Sequence, residues 1–99
     1  MATFITTIKF TQQGLQAIDQ TTKRASALKA AAKKMGAKVT DIYWTLGDHD
    51  GVLVLEAPDD ETAAAVLAHV SSGGNVSTST CRAFTAPEMD KILAKMKGG

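Results

Sequence analysis

Hydrophobic and polar positions change their period several times along the chain, and each change marks an element. Phe4, Thr6, Ile8 and Phe10 alternate with Ile5, Thr7 and Lys9. That period of two, in a run rich in β-branched and aromatic residues, predicts a strand over residues 4–10. Thr11 then offers a helix cap. Leu15, Ile18, Ala25, Leu28, Ala32 and Met35 recur at helical spacing up to Gly36, which suits a left-handed helix stop. Thr21-Thr22 interrupts the good helix formers and predicts two helices meeting at a bend.

Residues 38–46 and 51–57 read as a second and a third strand. They are joined by the turn-rich stretch Gly47-Asp48-His49-Asp50-Gly51. Val52-Leu53-Val54-Leu55 is apolar at every position, so both faces of that strand should be covered. Pro58 stops it and Asp59 caps the next helix, with Asp60 and Glu61 in its first turn, where negative charge is favoured. Ala63, Val66, Leu67 and Val70 form the apolar stripe of that helix, and Gly73-Gly74 closes it. Residues 76–84 predict a polar fourth strand at an edge. Thr85-Ala86-Pro87-Glu88 is a capping box that opens a last helix with Met89, Ile92, Leu93 and Met96 on one side. Lys97-Gly98-Gly99 is expected to fray.

The order β-α-β-β-α-β plus a helix is the split βαβ arrangement of a ferredoxin-like α+β fold, an antiparallel four-stranded sheet with two helices on one face. The third strand then lies inside the sheet, which fits its apolar run. Helices on one side leave the other face open, and the expected cover is a second copy of the chain, sheet against sheet, as a dimeric α+β barrel. About 800 Å² buried per partner would suffice. The last helix would cover an edge or reach across to the other subunit.

Composition narrows the partners. The 99 residues suit one domain, residues 1–99, and 44% hydrophobic with 21% charged residues fits a globular chain. A net charge of +1 gives no general attraction to nucleic acid or anionic lipid, and the few scattered aromatics make no stacking platform, so nucleic acid is not an expected partner. No stretch approaches the roughly 18 apolar residues of a membrane span, so no membrane partner is expected. The start of the chain lacks the pattern of a signal peptide, and a single Cys81 rules out an internal disulfide. Both favour the cytoplasm. The lysines and Arg24 of the first helical segment read as a solvated basic face.

Candidate chemistry gathers around the central hairpin. His49 can titrate near neutrality and so serve as an acid or base, unless it is simply an exposed turn residue. Tyr43 and Trp44 should point to opposite faces of the second strand, as core packing or as a flat wall for a bound ring. Asp50 and Glu56 lie at opposite ends of the third strand, about 20 Å apart, too far to act as a carboxylate pair. Asp50 suits bonding to turn amides, and Glu56 should pair with Arg82 on the last strand. His49, His69 and the carboxylates lack metal-ligand spacing, so no metal is expected and no cofactor is indicated. Cys81 reads as a buried, inert thiol.

These residues also carry a family resemblance. Tyr43-Trp44-Thr45-Leu46 followed by Gly47-Asp48-His49-Asp50, then Glu56-Ala57-Pro58-Asp59-Asp60, Gly74-Asn75-Val76 and Arg82-Ala83-Phe84-Thr85, resemble the GYD-domain family over about residues 4–93. So does Phe10-Thr11-Gln12-Gln13-Gly14 after the opening strand. His49 stands where the family's name-giving tyrosine would be. The resemblance implies membership of the dimeric α+β barrel group, whose members range from small monooxygenases to ligand-sensing modules. Fold alone does not choose among these. Two readings follow. In one, a small, largely apolar organic ligand lies between sheet and helices, with His49 and Tyr43 handling protons, Arg82 holding an anionic group, and Trp44, Asp50 and Glu56 completing the site. In the other, the same residues serve turns and subunit contacts of a non-catalytic oligomeric assembly or regulatory module.

Overall fold

The computed structural model describes residues 1–98; Gly99, the last residue of the stretch expected to fray, lies outside them. One antiparallel sheet has the order β2-β3-β1-β4, built from β1 (Ala2–Phe10), β2 (Lys38–Trp44), β3 (Gly51–Ala57) and β4 (Val76–Ala83). Among the described residues four α-helices accompany it: α1 (Gln12–Gln16), α2 (Thr21–Lys34), α3 (Asp60–Ser72) and α4 (Ala86–Met96). The α+β, ferredoxin-like reading of the sequence holds. The apolar third strand is internal, and the polar fourth is an edge.

Strand pairing sorts the side chains into two faces. In register, Phe4 lies opposite Leu55, Thr6 opposite Leu53, and Ile8 opposite Gly51. Side chains directly opposite one another share a face. This face meets the helices, and it holds the core: Phe4, Ile8, Leu53 and Leu55 from the sheet, Leu28 and Ala32 from α2, Ala63 and Val66 from α3. Thr6 is a polar member with no exposed surface. Its hydroxyl is satisfied across the strands by that of Thr80 at 2.8 Å, which removes the cost of an unpaired buried polar group. The opposite face carries Ile5, Val52, Val54 and Glu56, and no helix among the described residues covers it.

The bend in the first helical segment falls earlier than Thr21-Thr22. A short 3-10 turn at Ile18–Gln20 separates α1 from α2, and Thr21 begins the longer helix. The cause is Arg24, which is not part of a solvated basic face. Its guanidinium folds back and donates to the carbonyls of Ala17 (2.8 Å) and Gly14 (3.3 Å). The Gly14 carbonyl has no helical partner past the end of α1, and the cation satisfies it; the Ala17 carbonyl is shared between the guanidinium and the Gln20 amide at 3.0 Å.

A second joint fixes the start of α1. Thr11 accepts from the Gly14 amide and donates to the Gly74 carbonyl at 2.6 Å, while its own amide donates to the carbonyl of Asn75 at 3.0 Å. Gly14 is buried against this loop. A Cβ there would lie 2.1 Å from the Asn75 carbonyl oxygen, so only glycine allows the approach.

The expected helix ends are present elsewhere. Gly36 and Gly74 have φ of 88° and 81° after α2 and α3. Asp59 accepts from the Thr62 amide at 2.7 Å, and Thr85 and Glu88 form the reciprocal capping box. No residue of α4 is buried, and Met89, Ile92, Leu93 and Met96 stand exposed. The radius of gyration, 15.1 Å, exceeds the roughly 13 Å of a compact chain of this size. An uncovered last helix accounts for that excess.

Two outcomes test this description. Gly14→Ala forces the β1–α1 joint away from Asn75 and should cost about 1–3 kcal/mol in urea unfolding. The second concerns acid. Hydrogen bonds from the hydroxyl and then the amide of Thr62 hold the Asp59 carboxyl below its ordinary value. A carboxyl depressed in the folded state contributes stability that is present above its unfolded value, about 3.9, and is lost as pH falls through the folded value. Asp59→Asn keeps an acceptor but not the charge, so its melting temperature should fall less steeply than that of the parent below about pH 4.

Candidate functional site

A cavity of about 240 Å³ opens between the sheet and the α2/α3 layer, at the end where β1 finishes and β3 begins. Its inner wall is apolar: Ile8 from β1, Leu28 from α2, Ile42 from β2 and Val70 from α3. Small residues make the space. Ala25 and Ala27 face it from α2 and Gly51 from β3, where larger side chains would fill it. Trp44 closes one side. Its indole N–H donates to the Thr21 hydroxyl at 3.0 Å, which ties the last residue of β2 to the first turn of α2.

A few polar residues line the cavity as well. Asp50 is half-buried, and one of its carboxylate oxygens accepts from the Phe10 amide at 2.9 Å. That bond, with Asp50 N–H to the Ile8 carbonyl at 2.8 Å, continues the β1–β3 pairing past its regular end. The sequence suggests that Asp50 serves amides of its own turn; it serves the neighbouring strand instead. Arg24, His69 and Asn75 also line the cavity. In the sequence Arg24 reads as part of a solvated basic face and His69 only as a histidine without metal-ligand spacing. Their convergence depends on the packing of α2 beside α3, which no local signal in the sequence carries.

The other candidate residues separate. Tyr43 borders the cavity, but it pairs with Val52 and so belongs to the open face, where it is 60% exposed. The expectation that Tyr43 and Trp44 point to opposite faces is met. His49 is exposed in the β2–β3 loop and lines a separate shallow recess with Thr7, Lys9 and Ser77. Its carbonyl accepts from the Thr45 hydroxyl at 2.7 Å, which is a turn contact.

The expected Glu56–Arg82 pair does not form. Glu56 lies opposite Thr3 on the open face, whereas Arg82 lies opposite Phe4 on the helix side, and alternation along β1 places the two on opposite faces. Arg82 instead stacks on Phe84, 4.6 Å from the ring centroid, and meets Glu88 at 3.5 Å. Two hydrogen bonds from Thr85, through its amide and then its hydroxyl, hold the Glu88 carboxyl below its ordinary value, with Arg82 adding to the effect. Cys81, expected to be buried, is exposed on the open face opposite Ile5, because β4 is an edge strand with no helix or partner strand outside it among the described residues. Among the described residues no three His, Cys, Asp or Glu side chains converge as metal ligands, and no helix is long and apolar enough to cross a membrane.

The chain is similar to known proteins over nearly its whole length. It is 30% identical over 98 residues to a glutamine synthetase and cystathionine beta-lyase binding protein of Thermus thermophilus, covering 98% of this chain and all of that one. Among solved structures it resembles TTHA0845, also from Thermus thermophilus, with a TM-score of 0.57 and 25% identity over 87% of this chain and 96% of that one. It also superposes on MtbAldR with a TM-score of 0.66 over 85% of this chain. It spans only 53% of that longer protein, and at 13% identity the likeness is one of fold. The GYD domain family matches residues 4–93, and the chain belongs to that family.

Proposed function

We propose that this GYD-domain protein is a self-associating binding module that takes a small organic ligand between its sheet and its helices. The cavity carries this reading. Its 240 Å³ are walled mostly by apolar side chains, with a few polar residues among the lining, the usual build of a ligand site. The volume lies just below the roughly 300–1,000 Å³ of drug-sized pockets, which favours a small metabolite. Trp44 supplies the flat wall and Asp50 a fixed acceptor. His49, Glu56 and Arg82 stand outside this space, so the proposed site is built on Trp44, Asp50, Arg24 and His69 in their stead.

Self-association rests on a different observation. Val52, Val54 and Ile5 on the sheet, and Ile92, Leu93 and Met96 on α4, form two apolar surfaces that the monomer leaves uncovered. A second copy covering them gives the dimeric barrel. An assembly role has support of its own. The Thermus thermophilus relative is named for binding two enzymes, and an adaptor of that kind needs exposed apolar surface for its partners. Cytoplasmic action fits partners of that type.

Two experiments separate these parts. Benzyl alcohol, a small and mostly apolar probe, titrated into labelled protein should shift amides of Ala25–Leu28, Ile42–Trp44 and Val70–Val76, and Ala27→Trp should abolish the shifts; no saturable shift with it or with L-leucine would rule out the ligand site. Ile92→Asp should leave the fold intact, since no residue of α4 belongs to the buried core, and convert the oligomer to monomer in light scattering. An unchanged mass would remove α4 from the contact.

A further inference from the structure

The lining of the cavity includes one group of each sign, Asp50 and Arg24, and both have unspent bonding capacity. Asp50 uses one carboxylate oxygen on the Phe10 amide, and the other accepts nothing from the described residues. Arg24 places two N–H groups on the carbonyls of Ala17 and Gly14, out of the five that a guanidinium offers. The two side chains do not form a salt bridge with each other. Each is held in place by backbone contacts, so neither loses much freedom on meeting a ligand. Leu28, Ile42 and Val70 make the wall around them apolar.

Resting on the ligand-site reading above, we propose that the ligand is a small zwitterion with an apolar tail, of the α-amino-acid type. The ammonium meets the free oxygen of Asp50, beside the ring of Trp44. The carboxylate meets the remaining N–H groups of Arg24, with His69 beside it. The tail enters between α2, α3 and the sheet. Size agrees with this. A cavity of about 240 Å³ lies below the range of drug-sized pockets and suits a ligand as small as an aliphatic amino acid. The charges explain why a free amine or a free acid is a poorer ligand. Either one leaves one of the two charges facing an apolar group, and an unmatched charge in a partly desolvated site costs affinity.

The test is a ligand series on the unaltered protein, read by calorimetry and by fluorescence of Trp44, the only tryptophan in the chain. L-leucine should bind at least tenfold more tightly than 3-methylbutylamine, which lacks the carboxylate, or 4-methylpentanoate, which lacks the ammonium. Asp50→Asn keeps an acceptor for the Phe10 amide and should weaken leucine and the amine but not the acid. Arg24→Gln should weaken leucine and the acid but not the amine. If benzyl alcohol binds and leucine binds no better than its two fragments, the zwitterion inference fails while the ligand site stands. If neither benzyl alcohol nor leucine binds, both fail.

Discussion

Everything on the helix side depends on the register between β1 and β3. With Thr6 opposite Leu53 and Phe4 opposite Leu55, two strands put their apolar alternate positions on one surface, and α2 and α3 close over it. A slip of one residue would send Leu53 and Leu55 to the open face and bring Val52, Val54 and Glu56 under the helices. Leu53 and Leu55 are almost wholly buried and Glu56 would be an unpaired charge in the core, so the penalty for slipping is large. The Asp50 bond to the Phe10 amide extends the same pairing one step further. The residue that anchors the register is thus also an acceptor in the cavity lining.

The cavity exists because residues that face it from α2 and β3, Ala25, Ala27 and Gly51, are small. Alanine supplies much of α2, and a helix of small residues packs closely without filling the space at its end. Lining residues that carry polar groups also finish elements: Arg24 ends α1, Asp50 continues β3, and Trp44 ties β2 to α2. Each of these side chains has a structural bond that fixes its direction, so the site is preorganised by the same contacts that hold the fold.

The fold was legible in the sequence because its signals are local. Period two in residues 4–10, the caps at Thr11, Asp59 and Thr85, and the glycines at 36 and 74 each act within a few residues. The site was less legible because its geometry is set by parity and by helix packing. Trp44 and Asp50 could be singled out from one hairpin. Glu56 and Arg82 could not be placed relative to each other without knowing that β1 lies between their strands and which of its faces each one meets. Arg24 reads as one more cation on a basic helix. Only the break at Ala17–Gln20 shows that its guanidinium turns inward, and the clue in the sequence was slight: a lone arginine among the lysines of that segment, suited by its fork to two carbonyls at once.

The two edges of the sheet are unlike. β2 carries an irregularity between Val39 and Asp41, where Thr40 falls out of the ladder, whereas β4 pairs evenly with β1 from Val76 to Ala83 and leaves its outer side regular. A bulged edge resists the addition of a further strand, and a regular one accepts it. Growth of the sheet by copies of this chain therefore has a single usable edge. Two molecules meeting there back to back would consume both, leaving only bulged edges outward, so the same asymmetry that shapes one subunit guards a crowded solution of them against open-ended fibres.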